Sequence, residues 1–253
     1  MTASRNNRWI TGRQARGEVH TRLICIPQSG GGAGVFSRWR GRLPEGVELA
    51  PVELPGRGTR REETMPDGFD TVADALYEGL RGEFNLPYAL FGHSFGGMLA
   101  YEVARRAEQE GIRRPLAVFV SGTRAPHVPH RRFVADADER VLTDWLSGCG
   151  GLPAELFEFP DFLREILQVV RTDLRLAESY AVVDPVPLTA PLHAFAGADD
   201  VVTPPGELAA WQRCGGSGFT VTTLPGNHDF PYTAAAELIA AMEPALTRVA
   251  RVG

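Results

Sequence analysis

With 253 residues, 43% hydrophobic and 23% charged, the chain is long enough to bury a sizeable core as one domain and lies far from disordered or collagen-like compositions. A net charge of −5 argues against nucleic acid as a partner, and because all 26 basic residues are arginine, no lysine exists to sit on phosphates in a P-loop or to form a Schiff base. Three cysteines, Cys25, Cys149 and Cys214, lie far apart without metal-site spacing, which fits reduced core thiols.

Residues 1–20 are polar and arginine-rich and read as a flexible arm, with no apolar segment suited to a secretory signal or a membrane span, so a cytoplasmic protein is expected. HTRLICIPQSGGG reads as a strand running into glycines, and VELAPVEL as a second strand stopped by Pro55 and Gly56 before a charged loop. A helix is expected near Thr71 to Phe84, a buried strand in LPYALFGHS, a helix over Phe95 to Glu110 and a further strand in PLAVFVSG. Apolar runs of strand length alternating with helices point to an α/β fold, a mostly parallel sheet flanked by helices on both faces.

Arg124 to Pro187 breaks the alternation. Its helical periodicity in VLTDWLSGC and DFLREILQVVRTDLRLAESY predicts a helical lid, about residues 128–186, inserted after the strand that follows the serine-bearing helix. The alternation resumes with APLHAFAGADD, a helix near Pro205 to Arg213, the strand FTVTTL and a last helix near Thr233 to Arg251, so that residues 21–253 form a single domain.

The chemistry begins at Gly92-His93-Ser94-Phe95-Gly96, a G-x-S-x-G set between a strand-like run and a helix. That context makes a nucleophile elbow, in which glycines permit a strained turn that exposes the serine above the sheet; the plain alternative is a glycine-rich turn. Serine needs a base, and the base needs an acid to fix its tautomer. Of six histidines, His228 in PGNHDF follows the sixth strand and precedes the last helix, where a base would stand at the carboxyl edge of the sheet. His20, His93, His127, His130 and His193 suit core or surface roles better. In GADD, Asp199 and Asp200 lie in a loop at the same edge, and either can orient an imidazole. The chain order Ser, Asp, His is that of the α/β-hydrolase arrangement. The oxyanion donors expected are the N–H of Phe95 and one from the glycine loop that opens with Gln28 and Ser29.

LICIPQSGGGAGVFSRW, ELPGRGTRREE, LFGHSFGGMLAYEVARR, GADDVVTPPGELAAWQR and LPGNHDF, in this order and spacing, resemble type II thioesterases, the editing hydrolases of polyketide and nonribosomal peptide synthases. The resemblance implies an α/β-hydrolase fold and favours Asp200 over Asp199 as the acid. It implies hydrolysis of acyl thioesters from the phosphopantetheine arm of acyl or peptidyl carrier proteins, with no cofactor of the enzyme's own. It further implies a transient carrier-protein partner, a monomer, and no nucleic acid or membrane; an actinobacterial macrolide or ansamycin (rifamycin-like) pathway fits. Gln28-Ser29 stand where many relatives carry histidine and alanine, and Asn227 and Asp229 where many carry glycine and an aromatic residue. A generic carboxylesterase or lipase would use the same triad, and a non-catalytic receptor on this fold would be expected to lack a triad member.

Ser29, Met98, Trp145 and Phe162 are the candidate substrate contacts. Trp145, Leu146, Phe157, Phe162, Leu163 and Ile166 are more apolar than solvent-facing helices require, so they are expected to pack on the body or line an acyl chamber. An acidic enzyme meeting an acidic carrier needs a local basic patch. Arginines cluster at Arg38, Arg40 and Arg42, at Arg57, Arg60 and Arg61, and at Arg124, Arg131 and Arg132, and Arg131 and Arg132 are the docking candidates.

Overall fold

Strands β1 (Thr21–Ile26), β2 (Val47–Pro51), β3 (Tyr88–His93), β4 (Val118–Ser121), β5 (Leu192–Gly197) and β6 (Phe219–Leu224) form one sheet of order β2-β1-β3-β4-β5-β6, in a computed structural model that describes residues 7–152, 154–216 and 218–248. Every neighbouring pair of strands is parallel. The apolar runs follow from this, because residues on both faces of a central strand are covered. In β1, Ile24 and Ile26 enter one core cluster while Leu23 and Cys25 enter the other. Phe119 and Phe195 join the second cluster, Val118 and Val120 the first.

Helices α1 (Phe69–Leu80) and α2 (Phe95–Gln109) cover the first face. A 3-10 segment at Ala33–Trp39 and helix α6 (Ala235–Leu246) cover the second. The last helix expected from Thr233 is α6, which begins at Ala235, follows a short turn α5 (Phe230–Thr233) from which it is separated by Ala234 at φ −110°, ψ 39°, and ends at Leu246. Its expected end near Arg251 lies outside the described residues, as do residues 1–6. The helix expected near Pro205 to Arg213 is a 3-10 segment, Pro205–Cys214. The three cysteines are free and buried. Among the described residues, no helix is long and apolar enough to cross a membrane.

The arm read as flexible is packed from Asn7 onward. Ile10 and Gln14 form antiparallel bridges to Val52 and Leu49 on the edge strand β2, and Trp9 is buried beneath the Arg60 guanidinium, 3.9 Å from its ring. The polar composition misleads because a segment that covers a sheet edge needs few apolar side chains; its main chain supplies the pairing.

Between β4 and β5 the chain leaves the sheet to form α3 (Glu139–Gly148), a 3-10 turn at Ala154–Glu158 and α4 (Pro160–Ser179). Residues including Leu142, Leu146, Leu163, Leu167, Val170 and Leu174 make a small core of their own, whereas Leu176, Ala177 and Tyr180 join the body. Arg124 fastens that end of α4: its Nη2 donates to the carbonyls of Ala177 (3.2 Å) and Tyr180 (2.5 Å), acceptors that a helix end leaves unpaired.

Candidate active site

The winding of the sheet reverses between β1 and β3, and the carboxyl ends of these neighbours open the crevice where ligands bind in such sheets. Ser94 follows β3 directly. At φ 53°, ψ −119° it is the one non-glycine residue with positive φ among the described residues, a conformation costing on the order of 1–3 kcal/mol. The flanking glycines are explained by contact. A Cβ on Gly92 would lie 1.9 Å from the Gly96 carbonyl oxygen, and one on Gly96 would lie 2.3 Å from that of Ile26. Strand, turn and helix therefore cross too closely for any side chain. Phe95 opens α2, so its N–H belongs to the first turn that has no acceptor within the helix, at the end where the helix dipole favours negative charge.

His228 lies in the loop between β6 and α5, and its Nδ1 is 2.9 Å from Asp200 Oδ2. The other oxygen, Oδ1, accepts the N–H groups of Val202 (2.8 Å) and Thr203 (3.0 Å). Burial raises the Asp200 pKa, but the hydrogen bond and charge of His228 with the two N–H groups outweigh it and hold the carboxyl below its ordinary value. Asp199 is exposed, so of the two acids left open by the spacing it is Asp200 that meets the imidazole. Gly122, at φ +54°, makes room for two rings: a Cβ there would lie 2.7 Å from His93 Cε1 and 3.1 Å from His228 Cε1.

Beside Ser94 opens a cavity of about 310 Å³ whose lining includes Ser29, Phe95, Met98, Thr123, Trp145 and Val202. Three of the four expected substrate contacts, Ser29, Met98 and Trp145, therefore face it, and Phe162 does not. Phe162 is 53% exposed because the buried stripe of α4 runs Leu163, Leu167, Val170, Leu174 and the preceding residue falls about 100° outside it, and Phe157, in the 3-10 turn before α4, is 49% exposed. Leu146 and Leu163 are buried in the small core, with Trp145 and Ile166 packed against it. Gln28 turns its side chain to the hydroxyl of Tyr232, which donates to Oε1, while its carbonyl accepts the N–H of Gly31 at 2.9 Å.

Arg131 and Arg132 stand on the cavity lining, Arg131 paired with Glu207 at 2.8 Å. Of the other clustered arginines, Arg38, Arg40 and Arg42 are exposed, whereas three more are less available than the sequence suggests. Arg57, Arg60 and Arg124 are buried and hydrogen-bonded within the fold. Asp173 is a buried charge beside the first loop that sequence reasoning missed: fully buried, it pairs with Arg57 of the L-P-G-R loop. Its signal is an acid in phase with the apolar stripe of an amphipathic helix, where an unpaired charge would not be tolerated. Among the described residues, no group of three or more His, Cys, Asp or Glu side chains is gathered as a metal site.

A family model described as the thioesterase domain matches residues 21–246. Thioesterase PikA5 of Streptomyces venezuelae is 33% identical over 223 residues, which cover 87% of this chain and 79% of the relative. Among solved structures, RedJ, a thioesterase from the prodiginine biosynthetic pathway in Streptomyces coelicolor, superposes with a TM-score of 0.85 at 35% identity, over 90% of this chain and 91% of that one. BorB, the type II thioesterase from the borrelidin biosynthetic cluster, gives a TM-score of 0.85 at 30% identity over 96% and 99%. With a match that spans most of its length, the chain belongs to the thioesterase family, as a hydrolase of α/β-hydrolase fold whose neighbours are type II thioesterases.

Proposed function

We propose that this thioesterase hydrolyses acyl groups from the phosphopantetheine arm of acyl or peptidyl carrier proteins, with Ser94 as nucleophile, His228 as base and Asp200 as the acid that orients it. The observation that carries the reading is the Asp200–His228 hydrogen bond of 2.9 Å in a loop at the same sheet edge as a serine on a positive-φ elbow. With Asp200 on Nδ1, the proton-accepting nitrogen of His228 is Nε2. It takes the Ser94 proton as the hydroxyl oxygen attacks the thioester carbonyl, and the negative charge that develops on the carbonyl oxygen meets the N–H of Phe95 and that of Gln28. Collapse expels the thiolate, which takes the proton back from His228, and leaves an acyl-Ser94 ester. Water then gives a proton to His228 and attacks the ester; the acid leaves and Ser94 recovers its proton.

This sequence calls on no cofactor, and the pantetheine belongs to the substrate. Ser94, His228 and Asp200 all lie on one chain, so a monomer that meets its carrier briefly suffices for this chemistry; free buried cysteines fit a reducing cytoplasm. Residues 128–186 act as the lid over the acyl group, with Ser29, Met98 and Trp145 as contacts. The test is hydrolysis of acyl-loaded carrier protein by wild type and Ser94→Ala. The variant should lose activity by about 10⁴-fold or more while keeping its melting temperature, and a fluorophosphonate should label wild type alone. Turnover by the alanine variant would remove the assignment.

A further inference from the structure

The loop that opens with Gln28 is held in shape from outside, by one turn of α4. The N–H of Gly30 donates to Asp173 Oδ2 at 2.7 Å. Arg57 grips the same carboxylate with two nitrogens, Nη1 to Oδ2 at 2.5 Å and Nη2 to Oδ1 at 2.8 Å, and Nη1 also donates to the Gly31 carbonyl at 3.3 Å. Val170, one turn earlier on α4, closes the other side: a Cβ on Gly30, which has φ +73°, would lie 2.4 Å from its Cγ2. Asp173 is fully buried and Arg57 nearly so, at 0% and 7% side-chain exposure.

A buried ion pair is a poor device for stability alone, because apolar side chains of similar volume often do as well. What it supplies here is direction. A charged acceptor on the Gly30 N–H and a donor on the Gly31 carbonyl fix the Ser29–Gly30 and Gly31–Gly32 peptides, and so constrain where the N–H groups at the head of the loop aim.

We propose that Asp173 is a positioning residue for the oxyanion donor of the first loop: through Gly30 and Arg57 it makes α4, a helix of the excursion between β4 and β5, part of the machinery that assembles the oxyanion hole. This rests on the reading in which Ser94 is the nucleophile and the Gln28 loop gives the second donor. The seat of α4 then governs transition-state stabilisation, beyond any covering of the acyl group. Full loss of an oxyanion donor costs on the order of 10²–10³ in kcat, and misaiming one costs less.

The test uses Asp173→Asn and the double variant Arg57→Leu/Asp173→Leu, which removes both charges of the buried pair. Substrate is an acyl N-acetylcysteamine thioester. Two inhibitors of the same chain length accompany it: a trifluoromethyl ketone, which adds to the serine and needs both oxyanion donors, and an unreactive thioether, which needs neither. Both variants should lose about ten-fold or more in kcat with KM within about two-fold, and trifluoromethyl ketone affinity should fall in parallel while thioether affinity holds. The double variant should recover most of any melting temperature lost by Asp173→Asn and still bind the ketone weakly. Retention of kcat and ketone affinity by the double variant would overturn the proposal, as would an equal loss of affinity for ketone and thioether, which would show a site that has merely collapsed. If Ser94→Ala binds the ketone as tightly as wild type, it is the nucleophile assignment that fails.

Discussion

The imidazole of His93 lies 4.7 Å, centroid to centroid, from that of His228, and is itself buried to 1% exposure. Its Nδ1 is 3.0 Å from the Ser121 carbonyl oxygen and 3.1 Å from the Ser121 hydroxyl. Burial first, then the neighbouring His228, push its pKa down from 6.5 to about 3. His93 is therefore a neutral ring that backs the proposed base without competing for its proton.

Acid sensitivity follows from that burial. Because the folded-state pKa of His93 lies below the unfolded value, the unfolded chain binds a proton that the folded chain refuses between about pH 6.5 and 3, and stability falls as pH drops through that window. The slope is at most about 1.4 kcal/mol per pH unit for one group. Asp200, held below its ordinary 3.8, acts in the same direction but only at lower pH. Urea midpoints of wild type and His93→Gln between pH 4 and 7 should give the variant the shallower slope. Equal slopes would move the sensitivity to His127, His130 and His193, whose pKa values burial also lowers.

The two neighbouring acids give a sharp contrast. Asp200→Asn keeps an acceptor for the N–H of Val202 or Thr203 but can present an amide N–H to His228 Nδ1, which favours the wrong tautomer. A kcat loss of about 10³-fold or more is expected, against less than about three-fold for exposed Asp199→Asn. Initial rates on a small thioester decide it, and the opposite ranking would shift the acid by one residue.

The outer face of the excursion can be tested by stability alone. Leu163, 7% exposed, belongs to the small core, whereas Phe162 is 53% exposed. Leu163→Ala should cost about 2–4 kcal/mol in the unfolding of that segment, and Phe162→Ser should stay within about 0.5 kcal/mol. Hydrogen exchange confined to residues 134–174 would report the first loss, and a large effect of Phe162→Ser would mean that the face is covered in solution.

What the sequence revealed were the features written in local pattern. Continuous apolar runs announced a parallel sheet because both faces of its strands are buried, and the glycines around Ser94 announced the elbow because only their backbone fits there. The order of Ser94, Asp200 and His228 was legible because each ends or follows a strand at one sheet edge. Relations between distant segments were not legible. Nothing in the arm says that Ile10 bridges Val52, since main-chain pairing leaves no side-chain signature. The period of α4 identifies its buried stripe but not which flanking aromatic faces the cavity. Arginine counts likewise suggest surface charge, yet Arg57 and Arg124 are spent inside, on Asp173 and on the carbonyl end of α4.

That loss of arginines narrows where a carrier protein can be met near the cavity, whose lining does not include the exposed Arg38, Arg40 and Arg42. Arg57 and Arg60 are buried, Arg61 is exposed and paired with Glu62, and Arg124 is held by carbonyls, which leaves Arg131 and Arg132 as the arginines on the lining of the cavity that are turned to solvent. Arg131, 76% exposed, already has Glu207 at 2.8 Å, a surface pair worth about 0–1 kcal/mol that a more acidic partner can displace. Reversing both arginines to glutamate should raise KM for an acyl carrier protein by about three- to ten-fold, and rising salt should reproduce the effect on wild type. Hydrolysis of an N-acetylcysteamine thioester should change by less than about two-fold, since docking adds nothing to a substrate without a carrier. Glu207→Gln, which frees Arg131, should lower KM for the carrier substrate. Equal losses on both substrates would mean that the arginines shape the cavity and that the carrier docks elsewhere.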